Sequence, residues 1–217
     1  IDEPPHALGR ELLIPPEERL PSGRDNAAIV SAVHPEPVPV ITPDMHLQGI
    51  HHISAITDRL EQVGAFYEEA LGLKLVKKTY NQDDGQTKHY FWADYDGQSV
   101  SPHSSLTLFD WSGSTLRERP GIGQTHHIAF RAESAEQQLE WREHLVGLGV
   151  DVSPVMERTY FESIYFRAPD GLLLEIATDG PGFSVDEDET ELGTHLKLPE
   201  WLETQRSSIA ASLAPLP

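Results

Sequence analysis

Two stretches of the chain, Gly49-Ile50-His51-His52-Ile53-Ser54-Ala55 and Gln124-Thr125-His126-His127-Ile128-Ala129-Phe130, repeat one another. A repeat constrains folding more than any single motif, because both copies must settle into the same supersecondary unit. In each copy a helix comes next. Leu60, Val63, Phe66, Tyr67 and Leu71 recur at helical spacing before the stop signal Gly72; Leu139, Trp141, Leu145, Val146 and Leu148 precede Gly149. Each helix leads into three strand-like runs, at 73–80, 89–95 and 105–111 in the first copy and at 150–155, 163–168 and 172–177 in the second. The turn pairs Asp96-Gly97 and Asp170-Gly171 hold equivalent places. The pattern predicts an α+β fold in which paired β-α-β-β-β modules form a curved, partly closed mixed sheet, with the two first strands close together around a metal site.

This divides the chain into an N-terminal arm (1–46), a body (47–183, with modules 47–120 and 121–183) and a C-terminal tail (184–217). The arm is rich in proline, and it echoes the tail. Asp2, Glu3, Leu8, Gly9, Leu12 and Pro15 recur in the order and spacing of Asp186, Glu187, Leu192, Gly193, Leu196 and Pro199. Either an arm exchanged between subunits or the loss of an upstream portion would account for it. Trp201, Leu202, Ile209 and Leu213 lie on an amphipathic helix expected from 198 to 213, a packing or oligomer element.

Charge and composition remove whole classes of function. With 35 acidic against 16 basic residues the formal net charge is -19, which repels nucleic acid and anionic membrane surfaces. No apolar run approaches the roughly 20 residues that cross a bilayer, so a soluble, cytoplasmic protein is expected. Cysteine is absent, which excludes disulfides, thiolate zinc sites and thiol nucleophiles. Any metal must be held by His, Asp or Glu.

Side chains alternate along a strand, so one member of each histidine pair enters the cavity readily. His52 and His127 hold equivalent places and are expected to share the inward register of the apolar residues after them. Glu175 lies within Leu172-Leu173-Leu174-Glu175-Ile176-Ala177, where a carboxylate without a partner would be costly to bury. Two imidazoles and one carboxylate on one face, with other positions open, form the facial triad of iron(II) oxygenases. Mn(II), Ni(II) and Zn(II) accept similar ligands. His6, His34, His46, His89, His103, His144 and His195 lack such correspondence and are expected in surface or structural roles.

At these residues the sequence resembles the vicinal-oxygen-chelate superfamily, which includes extradiol dioxygenases, glyoxalase I and antibiotic-sequestering proteins. The resemblance runs from about Leu47 to the C-terminus and is strongest to dioxygenases that open hydroquinones and related phenols. It is carried by residues 51–56, 72–79, 126–130 and 175–183. It implies metal ligands at His52, His127 and Glu175, with His51, Ser54, His126, Arg158 and Tyr165 around them. Arg158 would neutralise a bound phenolate, Tyr165 would donate a hydrogen bond and a histidine would move protons. For His51 and His126 strand alternation is an obstacle that a twist or bulge would have to remove. Those enzymes carry four such modules, and this chain has room for two, its first resembling their first and its second their last.

The expected function is an Fe(II)-dependent extradiol-type ring-cleaving dioxygenase that takes a dihydroxylated aromatic of the hydroquinone or catechol class together with O2, as a homodimer or higher homo-oligomer. A glyoxalase-like lyase or isomerase is the enzymatic alternative and would take a fourth ligand near Thr107, where no carboxylate stands. A non-enzymatic sequestering protein, walled by Trp92, Trp111 and Tyr95, is the other.

Overall fold

The computed structural model describes residues 47–112 and 121–213. The N-terminal arm, and with it the arm's echo of the tail, lies outside the described residues. The chain divides into two compact units, one up to Arg119 and one from Pro120.

The first unit runs β1 (His52–Thr57), α1 (Leu60–Leu71), β2 (Lys74–Tyr80), β3 (Lys88–Ala93) and β4 (Ser105–Asp110). Its four-stranded sheet has the order β1-β4-β3-β2, with β1 and β4 parallel and the other pairs antiparallel. Gly72 ends α1 in the left-handed conformation at φ 68°, which a residue without a Cβ adopts at no steric cost. The helix buries Leu60, Val63, Gly64, Tyr67, Ala70 and Leu71. Gly64 is required by packing: a Cβ there would stand 2.5 Å from Trp92 Cζ2. Trp92 pairs with Leu106, and Leu106 with Ile53, so this row faces α1. The next row, Phe91, Thr107 and Ser54, therefore lies on the face away from the helix.

The second unit repeats the plan with β5 (Ile128–Ala132), α2 (Ala135–Gly147), β6 (Met156–Glu157), β7 (Glu162–Arg167) and β8 (Leu173–Thr178), in the order β5-β8-β7-β6. Both sheets are mixed and neither closes into a barrel. Two expectations need correction here. No strand forms at the expected 150–155, where Pro154 has no N–H for a ladder, and the two-residue β6 follows it at 156–157. Instead Ser153 N donates to Tyr165 O, and Tyr165 N to Ser153 Oγ. In α2 the apolar face read from the sequence is largely solvated, with Leu139, Val146 and Leu148 about half exposed. The buried positions are Gln138 and Leu145. Gln138 Nε2 donates to both Glu162 O and Ile176 O at 2.8 Å, so an amide fastens this helix to the sheet where apolar packing fastens α1.

Beyond β8 the amphipathic helix expected at 198–213 divides into a 3-10 turn, Glu200–Gln205, and a short helix α3, Arg206–Ser212, neither of which buries a residue. Trp201 is 74% exposed. Among the described residues no helix is long and apolar enough to cross a membrane.

Candidate metal centre

In the second unit the site grows from one row of the sheet. Ala129 on β5, Glu175 on β8 and Tyr165 on β7 are paired in register, so their side chains share a face. The Glu175 side chain is 2% exposed, and both its oxygens are engaged. Oε2 stands 2.8 Å from His127 Nε2. Oε1 accepts from Tyr165 OH at 3.1 Å and from the buried Ser163 hydroxyl. Tyr165 is held in turn by Arg158, whose Nε donates to the phenol oxygen at 3.3 Å and whose guanidinium lies over the ring at 5.2 Å. A polar chain thus runs from Arg158 through Tyr165 to Glu175 and His127.

The histidine pairs share one geometry. His126 Nδ1 meets His127 Nδ1 at 2.8 Å, and His51 Nδ1 meets His52 Nδ1 at the same distance. Each contact uses the Nδ1 of His52 and His127 and leaves Nε2 as the nitrogen able to ligate, the arrangement found where a ligating imidazole hands its other N–H to a neighbour. The obstacle of strand alternation falls away without a bulge. His51 precedes β1, and His126 and His127 both precede β5, so the pleat does not govern them. The expected inward register is corrected as well. Ile53, Ala55 and Thr57 are the less exposed residues of β1, whereas His52 shares its face with Ser54 and Ile56, away from α1. The sheet has two working faces: apolar side chains pack on the helix, and the histidines occupy the other.

In the first unit the place of Glu175 is taken by Thr107, since Ser54 pairs with Thr107 as Ala129 pairs with Glu175. The glyoxalase-type fourth position is therefore a buried hydroxyl. Thr107 Oγ1 donates to Ser54 Oγ at 2.8 Å and meets His89 Nε2 at 2.9 Å. Burial, reinforced by the nearby His52, holds the His89 imidazole below the usual histidine range, which favours its neutral form.

Sequence reasoning passed over Ser163 and His89. The signal was the repeat itself: Tyr165 aligns with Phe91 through their partners Glu175 and Thr107, which puts Ser163 and His89, two residues earlier, on one equivalent place. Of the residues singled out from sequence, His126, His127, Arg158, Tyr165 and Glu175 meet in the second unit, and His51, His52 and Ser54 lie together on the first strand of the other. Among the described residues no three His, Asp or Glu side chains converge within one unit. The second unit brings one imidazole and one carboxylate together, and the first presents a histidine pair at the start of its sheet. The imidazole and carboxylate of the second unit are the donor types a divalent cation takes, and the charge of a carboxylate this deeply buried is one that such an ion offsets.

The chain is 46% identical over 100 residues to MhqA of Bacillus subtilis (strain 168), named "Putative ring-cleaving dioxygenase", covering 46% of this chain and 32% of that one. It is 34% identical to MhqO of the same organism, which carries the same designation, with 81% of this chain and 52% of that one covered. The chlorohydroquinone/hydroquinone 1,2-dioxygenase of Sphingobium indicum is 30% identical at the same coverage. The chain spans about half or less of the length of these relatives. A solved glyoxylase/bleomycin resistance protein/dioxygenase domain from Frankia sp. EAN1pec shares the fold at a TM-score of 0.52 and 20% identity, covering 62% of this chain and 99% of that one. Residues 49–176, more than half of the chain, match the family directly, and the chain belongs to the Glyoxalase/Bleomycin resistance protein/Dioxygenase superfamily.

Proposed function

We propose that the chain is an Fe(II)-dependent, extradiol-type ring-cleaving dioxygenase acting on a dihydroxylated aromatic of the hydroquinone or catechol class with O2. The observation that carries this reading is the buried Glu175 carboxylate, 2.8 Å from the Nε2 of His127 and held by Tyr165 and Ser163. His52, the counterpart of His127 in the repeat, would complete a facial triad. The relatives named as ring-cleaving and hydroquinone dioxygenases support the same class of substrate.

His52, His127 and Glu175 would hold an iron(II) ion, whose chemistry would be to bind the substrate oxygen and activate O2. The remaining work belongs to side chains of this protein. Tyr165, donating to Glu175 and accepting from Arg158, holds the carboxylate in one orientation. Arg158 adds a positive charge that stabilises the phenolate form of the substrate. His51 and His126 fix the imidazole orientation through their Nδ1 contacts and give protons from the substrate hydroxyl a place to go. Thr107 stands where a glyoxalase-like enzyme would place its fourth ligand, and a hydroxyl there favours the oxygenase over the lyase. The working form is a homo-oligomer in the cytoplasm.

The test is oxygen uptake by protein reconstituted anaerobically with iron(II), over hydroquinone and catechol panels, with absorbance scans for ring-opened product and a nickel control. Iron-dependent uptake with product is expected. Stoichiometric metal binding without uptake across the panel would end the dioxygenase reading.

A further inference from the structure

Three side chains of the first unit form a polar chain from the third strand of its sheet to the first. His89 stands on β3, Thr107 on β4 and Ser54 on β1, linked at 2.9 Å and 2.8 Å. Thr107 is fully buried and its hydroxyl carries a single proton, which goes to Ser54. With that proton given to Ser54, His89 meets Thr107 through an N–H, and this order of the chain assigns the imidazole proton to Nε2. The imidazole is clamped by aromatic rings, stacked on Phe109 at 3.8 Å and 17° and lying 4.3 Å from Phe91. Such a setting is costly for a histidine whose only task is to satisfy one threonine, since a valine at 107 would need no partner at all.

Ser54 accepts from Thr107 and keeps its own proton. It is exposed, on the strand face that carries His52, about 7 Å further along the strand. Hydrogen bonds in series polarise one another, so the last hydroxyl becomes a stronger donor than an isolated serine. We propose that His89 is a positioning residue of the candidate site: through Thr107 it fixes the Ser54 hydroxyl as a hydrogen-bond donor, beside His52, for the phenolate oxygen of a dihydroxylated aromatic. The ligand named here rests on the dioxygenase reading, whereas the order of the chain is a property of the free protein.

The test has two arms. In the whole, metal-free chain, long-range nitrogen–proton NMR reads the tautomer of His89; Nε2–H is expected, and Nδ1–H, with Nε2 accepting, overturns the proposal. In the iron(II)-loaded protein without oxygen, absorbance titration with 4-nitrocatechol reads binding. Ser54→Ala and the shape-conserving Thr107→Val should each weaken it about tenfold, the scale of one hydrogen bond to a charged oxygen. His89→Phe should match them, the double variant His89→Phe/Ser54→Ala should be no weaker than Ser54→Ala, and His89→Gln, which keeps a donor at similar reach, should recover most of the loss. Additive losses, or wild-type binding in folded Thr107→Val and His89→Phe proteins, overturn it. Failure of the wild type to bind 4-nitrocatechol while His89 is Nε2–H overturns the dioxygenase reading and with it the ligand assigned to Ser54. The Nδ1–H tautomer sinks the chain itself even where nitrocatechol binds.

Discussion

Both units hold a histidine pair joined Nδ1 to Nδ1 at 2.8 Å, and both carry a polar chain across the sheet face behind it, yet the two chains end in opposite chemistry. In the second unit donors converge on the Glu175 carboxylate, an acceptor with an imidazole at its other oxygen. In the first unit the equivalent row ends on the Ser54 hydroxyl, with Thr107 in place of the carboxylate. The repeat keeps the scaffold and the histidines, and a few differences on one face separate a carboxylate-bearing unit from a hydroxyl-bearing one. The helices diverged in the same manner: α1 is fastened by apolar side chains against Trp92, α2 by the amide of Gln138.

The largest effect expected from breaking this comparison is at the proposed ligands. Alanine at His127, Glu175 or His52 should leave folded protein whose iron affinity falls by more than about 100-fold, beyond what loss of an outer partner costs. Elemental analysis after anaerobic reconstitution reads it. Normal metal content in all three variants would dismantle the triad, and normal content in His52→Ala alone would show that the second unit holds the ion unaided.

Thr107→Glu makes the two units more alike. It should retain iron while oxygen uptake falls by about tenfold or more, because a fourth protein ligand fills a position that the substrate needs. Undiminished uptake would sever the link between the absent carboxylate and oxygen chemistry. Ser163→Ala removes one donor from Glu175 and should weaken metal binding by roughly 10- to 100-fold, measured by competition with a chelating dye. An unchanged affinity would mean that Tyr165 and His127 hold the carboxylate without it.

Stability tests sharpen the contrast between the helices. Gly64→Ala drives a methyl group into Trp92 and should cost about 1–3 kcal/mol in denaturant unfolding. Gln138→Ala strands two main-chain carbonyls and should cost a similar amount, about 1–3 kcal/mol, with Gln138→Leu no better because it supplies no donor. The smallest effect is electrostatic. Bonds from Thr87, and then from Gln86, hold the half-buried Asp84 carboxyl down from the usual 3.8 to about 2. A value depressed on folding stabilises the native state above pH about 4, and that contribution is lost as the pH falls toward about 2. The Asp84 carboxyl shift followed by NMR should titrate in that range and in Asp84→Asn the loop should lose its acid sensitivity.

The repeat made the β-α-β-β-β succession legible, because apolar spacing, stop glycines and Asp-Gly turns recur in both copies. Glu175 was legible for a related reason: a carboxylate inside an apolar strand is anomalous until it has a partner. What sequence could not supply was the face. Alternation gives two sides to a strand without saying which one the helix covers, and in β1 Ile53 and Ala55 lie on the helix side while His52 takes the other. Gln138 was passed over because its burial is offset by main-chain carbonyls, which leave no mark on a hydropathy pattern. His89 was set aside because its counterpart, Ser163, is a different residue type, so equivalence of position was hidden by difference of chemistry.

The order of strands has one more consequence. β1 and β5 are the border strands of their sheets, so among the described residues each has one hydrogen-bonding edge that its own unit leaves unfilled. The histidines thus sit on the border of each fold, where a substitution changes the chemistry on display without disturbing a core. Heredity can then work with whole modules as interchangeable parts, since each unit keeps its own helix and sheet and carries its histidine pair at an edge.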